Sequence, residues 1–180
     1  MEQEVQLPSA KAAVITLQNK YLEIQQRDIT TSGNMKTNDD VASMSDGEQI
    51  LRKITKPYRG RLILLDIWGI RCAPCRKALS HSTEEYERLK DYNLVYLYLA
   101  NRSSDEAWKN VIKEYNVTGE NVVHYNLPAD QQSAVEIFLQ VHSWPTYKLI
   151  DRDGKVLDVN ADPRNLDALA RLLEQMKKTT

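Results

Sequence analysis

Leu62-Ile63-Leu64-Leu65 constrains the fold of this chain more than any other segment. Four consecutive apolar residues leave no face of an extended segment for water, so a strand built on them is covered on both sides. The run opens a stretch from Arg61 to Trp68. A helix signal follows within a few residues, from about Cys75 to Lys90, with Leu79, Tyr86 and Leu89 on one side. A strand buried on both faces that feeds a helix belongs inside a sheet flanked by helices.

The rest of the chain repeats that alternation. Asn93 to Ala100 reads as a second core strand. Ser103 and Glu106 form a capping box before a helix carrying Trp108, Val111, Ile112 and Tyr115 at i, i+3, i+4 and i+7. Val122 to Tyr125 is a short strand and Asp130 to Val141 a helix. Thr146 to Ile150 and Lys155 to Val159 are strands joined by the turn residues Asp151-Arg152-Asp153-Gly154, and Asn165 to Met176 is the last helix. Strands alternating with helices give parallel βαβ units, and the final hairpin adds antiparallel edges. Upstream, Ser45 and Glu48 form a capping box for a helix carrying Ile50, Leu51 and Ile54, ended by Lys56-Pro57. Asp28 to Ser43 is polar and reads as a linker. Before it, Ser9 caps a helix with a narrow stripe of Ala10, Val14, Leu17, Tyr21 and Ile24. The stripe docks on the domain, on a missing upstream domain, or on a partner. The division is therefore an N-terminal helical extension with linker over 1–44 and a domain over 45–180.

The chain has two cysteines, Cys72 and Cys75, which excludes a framework of several disulfides and a four-cysteine zinc site. Their segment runs off the buried strand into a helix, which sets Cys72 at or just before the helix start. Unpaired N–H groups and the positive dipole end favour a thiolate there, and Arg71 and Arg76 add positive charge. Cys72 is the expected nucleophile. Two residues between the sulfurs on a first helical turn allow disulfide geometry, so Cys75 is expected deeper, attacking the mixed disulfide formed at Cys72. Pro74 fits the first turn, where its missing N–H costs little.

This motif resembles the thioredoxin superfamily, and within it the TlpA/ResA-like bacterial thiol–disulfide oxidoreductases. The resemblance spans roughly Ser45 to Met176. Its second marker is Ser143-Trp144-Pro145-Thr146 ahead of a strand, and its third is the extra helix and strand between Asn101 and Tyr125. It implies an α/β thioredoxin fold with a helix–strand insertion. It also implies a cis proline at Pro145 facing the cysteines, with the Trp144 backbone pairing with an extended client segment. Trp68, Arg71, Ala73, Pro74, Trp144 and Pro145 are then the client-binding residues, with Trp68 packing beneath the active-site loop. Asp66 stands six residues before Cys72, where classical thioredoxin has a buried acid. On an apolar strand its pKa should rise, fitting it to exchange a proton with Cys75. ResA-like members often carry a glutamate three residues past the second cysteine. Here that position is Ala78, which leaves the role to Asp66. Arg71 replaces the usual aromatic before the first cysteine, and Leu79-Ser80-His81 lacks the proline that kinks the helix in many members.

The implied function is electron exchange with protein disulfides, in the reducing direction, between client proteins and an upstream thiol donor. It needs no cofactor or metal beyond the Cys72–Cys75 pair. Two alternatives share the fold. A thiol peroxidase wants Thr three residues before its cysteine, where this chain has Gly69. A copper-delivery module of the Sco type uses CxxxC plus a histidine, and His81, His124 and His142 show no clear ligand spacing. A net charge of -1 gives no footprint for nucleic acid. No apolar run approaches the ~20 residues of a membrane helix. Ala12 to Leu17 is too short for a secretion signal, so the periplasmic or other extracytoplasmic location comes from the resemblance alone.

Overall fold

The computed structural model describes residues 8–29 and 34–178. The elements run α1 (Pro8–Gln26), β1 (Met35–Lys36), α2 (Gly47–Thr55), β2 (Ile63–Gly69), α3 (Ala73–Leu79), α4 (Ser82–Leu89), β3 (Val95–Asn101), α5 (Asp105–Tyr115), β4 (Val122–Tyr125), α6 (Ala129–Phe138), β5 (Thr146–Ile150), β6 (Val156–Leu157) and α7 (Leu166–Lys178). The strands form one sheet in the order β1-β4-β3-β2-β5-β6. β2 lies inside it, parallel to β3 and antiparallel to β5, as the apolar run requires.

Strand alternation splits the core in two. Leu62, Leu64 and Trp68 face one side with Tyr96 and Tyr98 of β3, under Cys75, Leu79, Leu89, Ile112 and Leu173 from α3, α4, α5 and α7. Ile63, Leu65 and Ile67 face the other side, under Ile50, Leu51 and Ile54 of α2 and Val135 of α6. α2 and α6 approach closely at Gly47, where a Cβ would sit 2.0 Å from the Ala134 carbonyl oxygen.

Several sequence expectations change. The polar stretch 28–43 is more than a linker. Ile29 and Val41 are buried in the two halves of the core, and β1 pairs in parallel with β4, Met35 beside His124. Residues 30–33 of that stretch lie outside the described residues. Ser9 lies inside α1. The stripe of α1 does not dock on the domain: Val14, Leu17 and Tyr21 are exposed, and the helix is held at its C-terminal end, where Arg27 donates to the Lys113 carbonyl at 2.7 Å. Both capping boxes shift by one residue. Asp46 caps α2, accepting from the Gln49 N–H, and Ser104 caps α5, accepting from the Ala107 N–H.

The single helix expected from Cys75 to Lys90 is two. It breaks at Ser80–His81 although no proline is present. The Ser80 hydroxyl donates back to the Lys77 carbonyl at 2.7 Å, competing with the backbone ladder. His81 leaves helical geometry at φ -105° and ψ 4°.

Candidate active site

β2 ends at Gly69 beneath a tight turn, in which the Cys72 N–H donates to the Gly69 carbonyl at 3.0 Å. Cys72 then caps α3. Its backbone is extended, and its Sγ accepts the Cys75 N–H at 3.2 Å. Pro74 occupies the first turn without wasting a donor. The sulfurs of Cys72 and Cys75 are joined, with Cα atoms 5.2 Å apart. Cys72 is partly exposed, whereas Cys75 is 1% exposed and packs with Trp68 and Leu79.

The loop before β5 covers the cysteines from the other side. The Trp144–Pro145 bond is cis, and the Trp144 carbonyl oxygen lies 3.4 Å from Cys72 Sγ. Arg71, Ala73 and Pro74 are exposed around the pair, and Trp144 and Pro145 partly so. Five of the six client-binding candidates therefore line one accessible surface. Trp68 does not join them. It is fully buried beneath the loop because its strand position points into the core, so it supports the site and cannot touch a client.

Arg76 is also redirected. Its guanidinium pairs with Glu114 at 2.6 Å and stacks on the Tyr115 ring, which spends its charge away from the cysteines. Arg102 joins the site unforeseen. It follows β3 in a left-handed conformation and lies over the Trp144 ring, 5.9 Å from its centroid. The sequence signal was positional only: it sits just past the carboxyl end of a parallel strand, where such sheets place their binding loops.

Asp66 is buried on β2, between Tyr98 of β3 and Tyr147 of β5. Its alternation partners are Leu64 and Trp68, so it faces the side of the sheet that holds Cys75. Among the described residues its Oδ1 has no hydrogen-bond partner. Burial pushes its carboxyl up to about 8, Asp162 pushes the same way, and Arg164 pulls back. A second acid, Glu85 of α4, was missed in the sequence. Burial, followed by the charges of Asp66 and Asp162, raises it to about 8 as well. His124 is fully buried, donates from Nε2 to the Val117 carbonyl at 2.7 Å, and is held neutral, its pKa lowered by burial to about 4. His81 and His142 are exposed.

This arrangement leaves Cys72 accessible and Cys75 sealed, with the buried acid Asp66 on the same side of the sheet as Cys75. Residues 60–156 match the thioredoxin-like protein family. The chain is 28% identical to the thiol-disulfide oxidoreductase ResA of Bacillus thuringiensis subsp. konkukian over 69% of this chain and 67% of that protein. It is 24% identical to the protein DipZ of Mycobacterium bovis, over 67% of this chain and 17% of that much longer protein. Among solved structures, the thioredoxin domain of a thiol-disulfide oxidoreductase from Bacteroides vulgatus superposes with a TM-score of 0.53 at 23% identity, covering 67% of this chain and 82% of that one. An exposed lipoprotein thioredoxin from Streptococcus pneumoniae gives a TM-score of 0.53 at 22% identity, covering 67% and 88%.

Proposed function

We propose, for a chain that belongs to the thioredoxin-like family and is a thiol–disulfide oxidoreductase, that it works in the reducing direction on disulfides of extracytoplasmic client proteins. One observation carries the reading: Cys72 is reachable beside the Trp144 carbonyl while Cys75, within bonding distance, is sealed in the core.

In the dithiol form the Cys72 thiolate attacks one sulfur of a client disulfide. The other client sulfur leaves with the electron pair and takes a proton from solvent. The client segment lies along Trp144 and Pro145, over Ala73 and Pro74, with Arg71 at its edge. Cys75 then gives its proton to the Asp66 carboxylate and attacks Cys72 Sγ. The intramolecular disulfide closes, and the client departs as a dithiol. The two sulfurs carry both electrons, so no other redox group is required. An upstream thiol donor returns the pair to the dithiol.

Charge supports the reducing direction. Strong oxidants of this fold stabilise the attacking thiolate and hence their reduced form. Here Arg76 is spent on Glu114, and the helix behind Cys72 has only seven residues. The potential should therefore lie nearer about -270 mV than about -120 mV. The extracytoplasmic placement rests on the likeness to ResA. Among the described residues no helix is long and apolar enough to cross a membrane.

The test is insulin reduction with a thiol donor, together with a glutathione redox titration. Cys72→Ser should abolish turnover, and Cys75→Ser should accumulate mixed disulfides with clients. Full activity in Cys72→Ser, or a potential close to that of the strong oxidants, would refute the reading.

A further inference from the structure

The buried face of α4 consists of Ser82, Glu85 and Leu89, spaced i, i+3 and i+7. The middle position of such a stripe is normally apolar. Glu85 is 9% exposed, and among the described residues its carboxylate has no hydrogen-bond donor or paired cation. Its helix neighbours are committed elsewhere, His81 to Glu84 and Arg88 to Asp167. A lone buried carboxyl costs folding free energy that a leucine would not.

Three observations tie it to the redox site. Strand alternation turns Asp66 toward the side of the sheet covered by α3 and α4, the side that holds Cys75. Asp66 is within electrostatic reach of Glu85, and Asp162 acts on both. Glu85 lines a cavity of about 800 Å³ that runs from Pro74, between the two cysteines, past Ala78 and His81 to Arg164 and Leu166. Asp66 does not line that cavity, and its Oδ1 is sealed. Glu85 thus feels the charge of the sealed acid and borders a cavity that reaches Pro74, the residue between the two cysteines in sequence.

We propose that Glu85 is a positioning residue for thiol exchange, the outer member of a two-carboxyl relay that carries the Cys75 proton from Asp66 to solvent through the cavity beside Pro74. This rests on the reading of Asp66 given above. The step runs through the form in which Asp66 is ionised and Glu85 protonated, a minor one at neutral pH because burial holds both carboxyls up to about 8. Cys75 gives its proton to Asp66, and its sulfur attacks Cys72 of the mixed disulfide. The Cys72–client bond breaks with its electron pair on the client sulfur. Glu85 releases its own proton to the cavity, and the proton on Asp66 passes to Glu85. One proton has left Cys75, and both carboxyls are as they began. Two like acids in a shared low-dielectric site resist ionising together, which suits one proton held between them.

The groups facing the pair fit this role. Tyr96 and Tyr98 of β3, Tyr86 of α4 and Tyr147 of β5 all have their hydroxyl pKa values raised, so they stay neutral through the working range. Arg164, the cation acting on Asp66, is bound to Asp162 through both carboxylate oxygens. Lys77 of α3 and Asp167 of α7 lie at the cavity wall.

The test uses the reduced full chain mixed with a disulfide-bonded peptide from about pH 6 to about 9.5, resolving attack by Cys72 from closure by Cys75. Glu85→Gln and Glu85→Leu should each slow closure about tenfold at neutral pH, with the deficit shrinking as pH rises and hydroxide competes with the relay. Attack by Cys72 should be unchanged, and Glu85→Asp should restore most of the rate. Glu85→Leu should melt no lower than the parent, which separates the loss from unfolding. Asp66→Asn should slow the same step, and adding Glu85→Gln to it should change nothing further. Slow closure in Asp66→Asn with a parental pH profile in both Glu85 variants would overturn the relay and leave the Asp66 reading intact. A parental profile in Asp66→Asn would remove both.

Discussion

Replacing Asp66 with asparagine should make the oxidised protein more stable at neutral pH and leave it no more stable in acid. The side chain is 7% exposed, its Oδ1 is unpartnered, and its carboxyl ionises near 8 in the folded protein against 3.8 in the unfolded chain. Between those values the folded state keeps a proton that the unfolded state releases. Stability from this group is therefore complete below about pH 4 and is lost as pH rises toward 8. Over the roughly three pH units from there to neutrality, at about 1.4 kcal/mol each, the ceiling is about 4 kcal/mol. Relaxation around the charge and the pull of Arg164 reduce it, so a gain of about 2 kcal/mol at pH 7 is the expectation. Asparagine keeps the volume and cannot ionise. The assay is urea unfolding of the disulfide-bonded protein, followed by tryptophan fluorescence, from about pH 4 to about 8.5. The parent should lose stability across the window, and the variant should lose about half as much, because Glu85 still titrates there. A pH-independent difference between the two proteins, or a variant less stable at pH 7, would show that Asp66 does not carry a burial penalty.

Gly47→Ala should destabilise by about 3 kcal/mol without changing the denaturant slope, since the added Cβ meets the Ala134 carbonyl oxygen at 2.0 Å and backbone cannot rotate away. Urea titration of the oxidised protein measures it. Arg102→Ala should raise KM for a protein-disulfide client about threefold with kcat unchanged, because loss of the cation over Trp144 loosens a ring beside Cys72 without touching either sulfur. Steady-state insulin reduction separates the two constants.

What was legible in the sequence was whatever the hydrophobic pattern enforces locally. Leu62 to Leu65 could only be a strand covered on both faces, and the cysteine pair that follows could only meet a helix start. What was not legible depended on contacts between distant segments. β1 is two residues long and exists because β4 offers it an edge; nothing in Met35-Lys36 announces a strand. At the start of α2, Ser45 and Asp46 are both sound caps. Asp46 wins where Gly47 must be the first helical residue to seat against Ala134. The break at Ser80 needs a hydroxyl to turn back on its own helix, a choice serine leaves open until packing decides it. Trp68 packs beneath the loop as read, but its grouping with the client-binding residues fails, because nearness to Cys72 along the chain says nothing of direction and strand alternation turns it into the core.

Glu85 was passed over for a related reason. A stripe sought through its apolar members runs through Tyr86 and Leu89, and a charged residue between them is assigned to solvent by default. Asp66 escaped that default because it stands six residues before Cys72, where the resembling family has a buried acid, and interrupts an otherwise apolar strand. The two acids are the same kind of departure: each puts an ionisable group where packing alone favours a hydrocarbon. Patterns this consistent elsewhere are broken where chemistry requires it. Both breaks face one side of one sheet, behind one buried sulfur. Two independent packing faults would have no reason to share that place, whereas a path for one proton would need both of them there.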